Sequence, residues 1–235
     1  MDDLATQAHI LSIYLIPLVL AITMHEAAHA LVADKLGDPT ARQLGRVSLN
    51  PLVHVDPVGT LVLPGILLLS GSPFLFGWAK PVPVRFGYLR HPRRDMALVA
   101  LAGPGINIVM AFLAGLALHL TGGSGSDVAR WISGNLVAFV TVNVVLAVFN
   151  MMPLLPMDGG RVLNAILPTA ELRWKHAQTE KYGLIILLAL LFVGPLLGSI
   201  WGTQVNLIDP ILRPPVEFMF NLVVTLTGSG IYFGF

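Results

Sequence analysis

The chain contains no cysteine, which excludes disulfide bonds, cysteine-ligated zinc and thiol catalysis together. Charge is nearly as scarce: Asp, Glu, Lys and Arg make up 11% of the 235 residues, against roughly a quarter in ordinary soluble domains. With a net charge of +1 and no long Lys/Arg run, there is nothing to hold a phosphate backbone, so nucleic acid is not an expected partner. Internal repeats, low-complexity tracts and long Gly/Ser linkers are also missing, and the chain reads as one domain over residues 1–235. What is present is apolar. Hydrophobic residues reach 55% before 23 glycines are counted, and the mean hydropathy is +0.76. Lipid must cover much of the surface.

Because charges are sparse, the gaps between them serve as rulers against the roughly 20 apolar residues that cross a bilayer. Uncharged runs extend over Leu4–His25, Pro57–Ala79, Met96–Ser126, Trp131–Met157, Tyr182–Ile208 and from Phe218 onward. The second is broken by Pro57, Gly59, Pro64, Gly65, Gly71 and Pro73, and is expected to dip into the membrane and return. Basic residues test that expectation, since they collect in short cytoplasmic loops. Lys35, Arg42 and Arg46 precede the broken run; Lys80, Arg85, Arg90, Arg93 and Arg94 follow it. A re-entrant segment at 57–79 puts both groups, and the later Arg161, Arg173, Lys175 and Lys181, on the cytoplasmic side with the N-terminus outside. Four spans follow, at about 8–34, 96–120, 131–157 and 182–202. The stretch 210–228, interrupted by Pro210, Pro214 and Pro215, is either a fifth span or an interfacial helix. The acidic start, Asp2-Asp3, is unlike a cleavable signal and reads as a retained anchor. The expected fold is an all-α polytopic membrane protein, with short extended stretches near 40–50 and 80–86.

The first span carries Met24-His25-Glu26-Ala27-Ala28-His29, an H-E-x-x-H pattern. On a helix, residues four apart differ by about 40° and rise about 6 Å, so both imidazoles leave one face and reach one metal ion. Glu26 borders that face, where a carboxylate can take a proton from a water activated by the ion. Two imidazoles with a carboxylate suit zinc best, with cobalt, nickel and iron also within their range. Ionisable groups within a span cost about 2.5–3.5 kcal/mol each, so three in one helix require a partner or a function rather than chance.

A catalytic zinc site usually takes three protein ligands. Asp158 is the best third ligand: it ends the 131–157 span on the cytoplasmic side, and His29 lies only about 9 Å of helical rise from Lys35 at that same side. Its competing role is to cap the Gly159-Gly160 turn. His54 and Asp56, at the mouth of the re-entrant segment, are read as a solvated loop pair, with gating or an alternative zinc ligand as rivals. His9, His91, His119 and His176 lack partner spacing and belong to loops or the interface. Asn107, a lone amide in the second span, either bridges helices or supports the site, and support is preferred. Gly103 and Gly105 are expected to permit close helix approach. Lys80-Pro81-Val82-Pro83-Val84 must be extended; it either pairs with a locally unwound substrate or is a plain edge.

With these residues in hand, the chain resembles the site-2 proteases, the intramembrane zinc metalloproteases. His25–Ala30, the Ala102-Gly103-Pro104-Gly105-Ile106-Asn107 stretch and Asn150-x2-Pro153-x4-Asp158-Gly159 carry the likeness, together with Gly45–Pro51 and Gly77–Val84. The resemblance implies that His25, His29 and Asp158 hold one zinc ion, that Glu26 is the general base and acid, that Asn150 helps hold the substrate carbonyl or oxyanion, and that three helices surround the site. It also implies cleavage of single-span or membrane-anchored proteins near the cytoplasmic leaflet. The chain leaves no room for the inserted PDZ or CBS modules of larger relatives. A non-proteolytic metal-binding scaffold is the rival, but it would need no base at Glu26. An ion transporter is the other, but the paired broken helices of that plan are missing.

Overall fold

The computed structural model describes residues 2–63, 65–66, 77–121, 126–201 and 205–231. Among these, the helices are α1 (Asp2–Lys35), α2 (Thr40–Gln43), α3 (Pro92–Ala117), α4 (Asp127–Asn150), α5 (Asp158–Ile166), α6 (Ala170–Ala177), α7 (Glu180–Trp201) and α8 (Asp209–Thr227). Short 3-10 turns lie at Pro51–His54, Phe86–Tyr88 and Leu118–Leu120, and a π-turn at Pro57–Val62.

Four of the described stretches are long and apolar enough to cross a membrane: Leu11–Lys35, Pro92–Leu120, Asp127–Asn150 and Glu180–Gly198. The chain is thus an all-α polytopic protein, and among the described residues these four helices fall where the four spans are expected. The third ends seven residues earlier than its uncharged run, because Pro153 and Pro156 deny helical donors and clash with the preceding turn; the helix restarts as α5 at Asp158. The 210–228 stretch forms α8, whose Asp209, Arg213 and Glu217 keep it outside that set of four. Its Val216, Phe220 and Val223 pack on Ala111 and Ala114 of α3 and on Val140 and Val144 of α4.

Helices α1, α3 and α4 form the core. Their buried faces are built from small residues, Ala21, Ala27, Ala30 and Ala33 on α1, Ala100, Gly103 and Ala111 on α3, Ala138 and Ala147 on α4. Leu15, Leu31, Leu101 and Leu113 point outward. This inversion of the soluble pattern follows from the solvent. Lipid tails give Leu no reason to hide, and close van der Waals approach of backbones holds the helices together.

The expected extended stretch at 40–50 begins instead as helix. Asp38 Oδ1 accepts from Thr40 N–H at 3.0 Å and from its hydroxyl at 2.5 Å, starting the turn. Gly45, at φ +67°, ends it with Arg46 N–H on Ala41 O and its own N–H on Arg42 O, a Schellman closure. No described residue forms a β-strand, and residues 77–85 are an irregular strap.

Much of the stretch expected to be re-entrant, residues 64 and 67–76 of 57–79, lies outside the described residues. Its two ends meet: Trp78 N–H donates to Gly59 O (3.1 Å), Thr60 Oγ1 to Trp78 O (2.9 Å) and Lys80 N–H to His54 O (2.8 Å). The loops after α1, before α3 and after α5 also gather at one end of the bundle. There Arg90 N–H reaches Leu36 O, and Arg93 Nε caps the α5 C-terminus at Ala165 O. At the opposite end Trp131 Nε1 donates to Ser12 Oγ.

Candidate metal centre

His25 and His29 leave α1 one turn apart, and the first turn of α5 brings Asp158 to them. Gly159 and Gly160 make that docking possible, since a Cβ on either would strike the Met151 carbonyl or the Leu154–Leu155 peptide. Asp158 Oδ2 lies 3.2 Å from His25 Nε2 and 3.3 Å from His29 Nε2, and the two Nε2 atoms are 3.0 Å apart. All three side chains are buried.

The proton positions follow from the surrounding bonds. Asn107 Nδ2 donates to Ala21 O (3.2 Å) and Asn143 Oδ1 (2.8 Å), so its Oδ1 is an acceptor. His25 Nδ1, 2.5 Å away, therefore carries the hydrogen. His29 Nδ1 likewise donates to Val99 O at 2.7 Å. Both Nε2 atoms are then bare lone pairs turned toward each other and toward a carboxylate oxygen that has no hydrogen-bond donor. Three buried electron-pair donors in mutual contact repel unless a cation lies among them. Ligand atoms about 2.0–2.1 Å from one tetrahedral ion stand roughly 3.3 Å apart, close to the spacing seen. The set fits a divalent metal, and Asn107 Oδ1 and Val99 O are acceptors of the kind that orient ligating imidazoles.

Gly103 of α3 faces this centre directly. A Cβ there would lie 2.5 Å from His25 Cε1 and Nε2, and closer still to His29 Nε2. Its expected role in helix approach is thus narrower: the neighbour it admits is the ligand pair. A Cβ at Gly105, by contrast, would meet nothing within 4 Å among the described residues.

A cavity of about 500 Å³ opens beside the triad and is lined by Glu26, Val82, Phe86, Asn150 and Arg161 among others. Glu26 Oε2 accepts from Val82 N–H at 3.0 Å. Asn150 reaches the cavity, but its Nδ2 donates to Leu146 O of its own helix at 2.9 Å. Arg161 stacks on the Phe86 ring at 5.4 Å and pairs with Glu180 at 3.5 Å.

His54 and Asp56 are not the solvated pair expected. His54 is 2% exposed, bonded through Nε2 to Ser48 O (2.9 Å) and facing Arg46 through Nδ1 (3.4 Å). It stands apart from the His25–His29–Asp158 group. Asp56 caps the π-turn, accepting from Val58 and Gly59 N–H. Both tie down the loop that the strap rests on. Asn143 was missed by sequence reasoning; its signal is an amide in the middle of an apolar span, two helical turns before Asn150 and so on the same face.

The chain is similar to a peptidase family and to proteins named as putative zinc metalloproteases. The profile described as Peptidase family M50 matches residues 120–194. "Putative zinc metalloprotease YwhC" of Bacillus subtilis (strain 168) is 40% identical over 195 residues, 81% of this chain and 84% of that protein. "Putative zinc metalloprotease Rip2" is 29% identical in Mycobacterium tuberculosis (strain ATCC 25618 / H37Rv), over 81% of this chain and 71% of the relative. The Rip2 of Mycolicibacterium smegmatis (strain ATCC 700084 / mc(2)155) is 27% identical over 74% and 64%. No solved structure gives a significant match.

Proposed function

We propose, on the premise that this chain belongs to peptidase family M50 and is a multi-pass zinc metalloprotease, that it cleaves transmembrane or membrane-anchored proteins within the bilayer, near the cytoplasmic leaflet. The carrying observation is the convergence of His25, His29 and Asp158 at the end of a helix apolar enough to span the membrane. These three residues would hold the zinc ion. When bound, it supplies Lewis acidity that makes water nucleophilic near neutral pH and polarises the scissile carbonyl.

The remaining work falls to the chain. Glu26, one residue from His25 and facing the same cavity, takes the proton of the attacking water and returns it to the leaving amine. Asn107 and the Val99 carbonyl fix both imidazoles with their Nδ1 protons outward, keeping the Nε2 lone pairs free. Asn150 lines the cavity; turned from Leu146 O, its amide would donate to the developing oxyanion, a contact typically worth a few kcal/mol. The cytoplasmic placement is supported by the gathering of the Lys35–Arg46, Arg85–Arg94 and Arg161–Lys181 stretches at the metal end of the bundle. The meeting of residues 54–60 with 78–80 supports a re-entrant course between them.

The test compares wild type with Glu26→Gln in bound zinc and in cleavage of single-span model substrates. Full zinc with cleavage reduced by at least about 10²-fold is expected. Equal cleavage by both proteins would remove Glu26 from the mechanism. Undiminished zinc in Asp158→Ala would remove Asp158 from the ligand set.

A further inference from the structure

We infer that the strap residue Val82 positions the general base through its backbone: its N–H, held rigid from both sides, selects the orientation of the Glu26 carboxylate. This rests on Glu26 being the base. In Lys80-Pro81-Val82-Pro83-Val84, the prolines have no N–H, so Val82 carries the sole donor between Lys80 and Val84. Each proline fixes its own φ and holds the residue before it in extended geometry, so Val82 cannot turn its N–H away.

The strap is fastened at both ends. On one side Lys80 N–H donates to His54 O at 2.8 Å, and Lys80 O accepts from Arg46 at 2.6 Å. On the other, Arg85 N–H donates to Asp38 Oδ2 at 2.5 Å, and Asp38 is itself held by Thr40. Between these anchors Val82 N–H meets Glu26 Oε2 at 3.0 Å, across 56 residues of sequence. Oε1 has no hydrogen-bond partner among the described residues and is left for the proton. Glu26 is half-buried on a side chain with several rotamers, and a charge-assisted bond to a fixed donor selects one of them. The alternating prolines thus acquire a reason beyond extension: they leave one donor, aimed at one acceptor.

Steady-state kinetics of the full-length, zinc-loaded protein on a single-span model substrate test this. Val82→Pro removes the donor while keeping extended backbone. The expected result is a kcat about 10- to 100-fold lower, the usual consequence of losing a hydrogen bond to a charged group, with KM and zinc stoichiometry unchanged. Val82→Ala keeps the N–H and is expected to restore most of that loss. Asp38→Ala frees the far anchor and lowers kcat in the same sense, and it decides the matter if Val82→Pro loses zinc. Three results would overturn the inference: equal kcat for Val82→Pro and Val82→Ala at full zinc; a rise in KM alone, which makes the strap a substrate dock; or a gain in kcat, which makes the contact a latch. An active Glu26→Gln would instead defeat the base assignment, whereas an inactive Glu26→Gln beside a normal Val82→Pro defeats only the positioning role.

Discussion

Replacing Gly103 with alanine adds one methyl group to a 235-residue chain, and the structure predicts that this methyl severely weakens metal binding at the centre. The added Cβ would stand 2.5 Å from His25 Cε1 and Nε2, whereas non-bonded heavy atoms settle at about 3.5–4.0 Å. One or both imidazoles must move by roughly 1 Å. Metal–ligand distances tolerate about 0.2 Å, so that displacement is several times what ligation by both rings allows. Neither ring can simply retreat, because each is tethered through Nδ1, to Asn107 and to Val99 O. Disturbing the orientation of a ligand from outside costs about 10- to 100-fold in metal affinity; intrusion between two ligands is expected to cost at least about 100-fold. The assay is competition with a chelator of known affinity, with thermal unfolding followed in parallel with and without zinc. Gly105→Ala is the matched control: same helix, same added methyl, nothing within 4 Å among the described residues, hence unchanged zinc affinity and stability equal to or slightly above wild type. If Gly103→Ala binds zinc like Gly105→Ala, then Gly103 does not face His25 and His29 as placed here.

Two further outcomes are expected. Asn107→Leu leaves the His25 Nδ1–H buried without an acceptor and should weaken zinc by about 10- to 100-fold, while Asn143→Leu, which spares the Asn107 contact with Ala21 O, should cost less; the same chelator competition ranks them. Asp38 lies outside the spans: burial pushes its carboxyl up, but the Thr40 hydroxyl and amide, the Arg85 amide and the Arg85 charge outweigh it and hold it below the ordinary carboxylate range. Its proton is therefore bound more weakly in the folded state. The stabilisation is complete above the unfolded value near 3.9 and is lost as pH falls through the lower folded value. Thermal unfolding should accordingly fall more steeply below about pH 4 in wild type than in Asp38→Asn, and parallel curves would contradict it.

The grouping of His25, His29 and Asp158 was legible because much of the spacing is local. His25 and His29 lie on one turn of one helix, and a single carboxylate at the matching membrane depth, Asp158, was nearly forced in a chain so poor in charge. Asn107 could be narrowed to support, but not to His25, because its partner lies 82 residues away. His54 looked like a loop histidine because burial by Ser48 and Arg46 has no signature in its neighbours. The expected strand near 40 failed for a similar reason: Asp38 and Gly45 dictate a short helix through their own side chain and φ, and only the strap that Asp38 also holds explains why both are there.

The sequence by itself determined the apolar solvent, the four long apolar runs, the metal ligands to consider and a candidate base beside them, since composition, run length and helical period are properties of neighbours along the chain. Tertiary structure alone decided what Gly103 faces, which amides orient His25, and that Val82 N–H meets Glu26. These are contacts between helices and a strap tens of residues apart, set by how small residues let three helices close together. No periodicity encodes them, because the force that selects them is close packing in lipid, where every buried polar atom must find its partner within the protein.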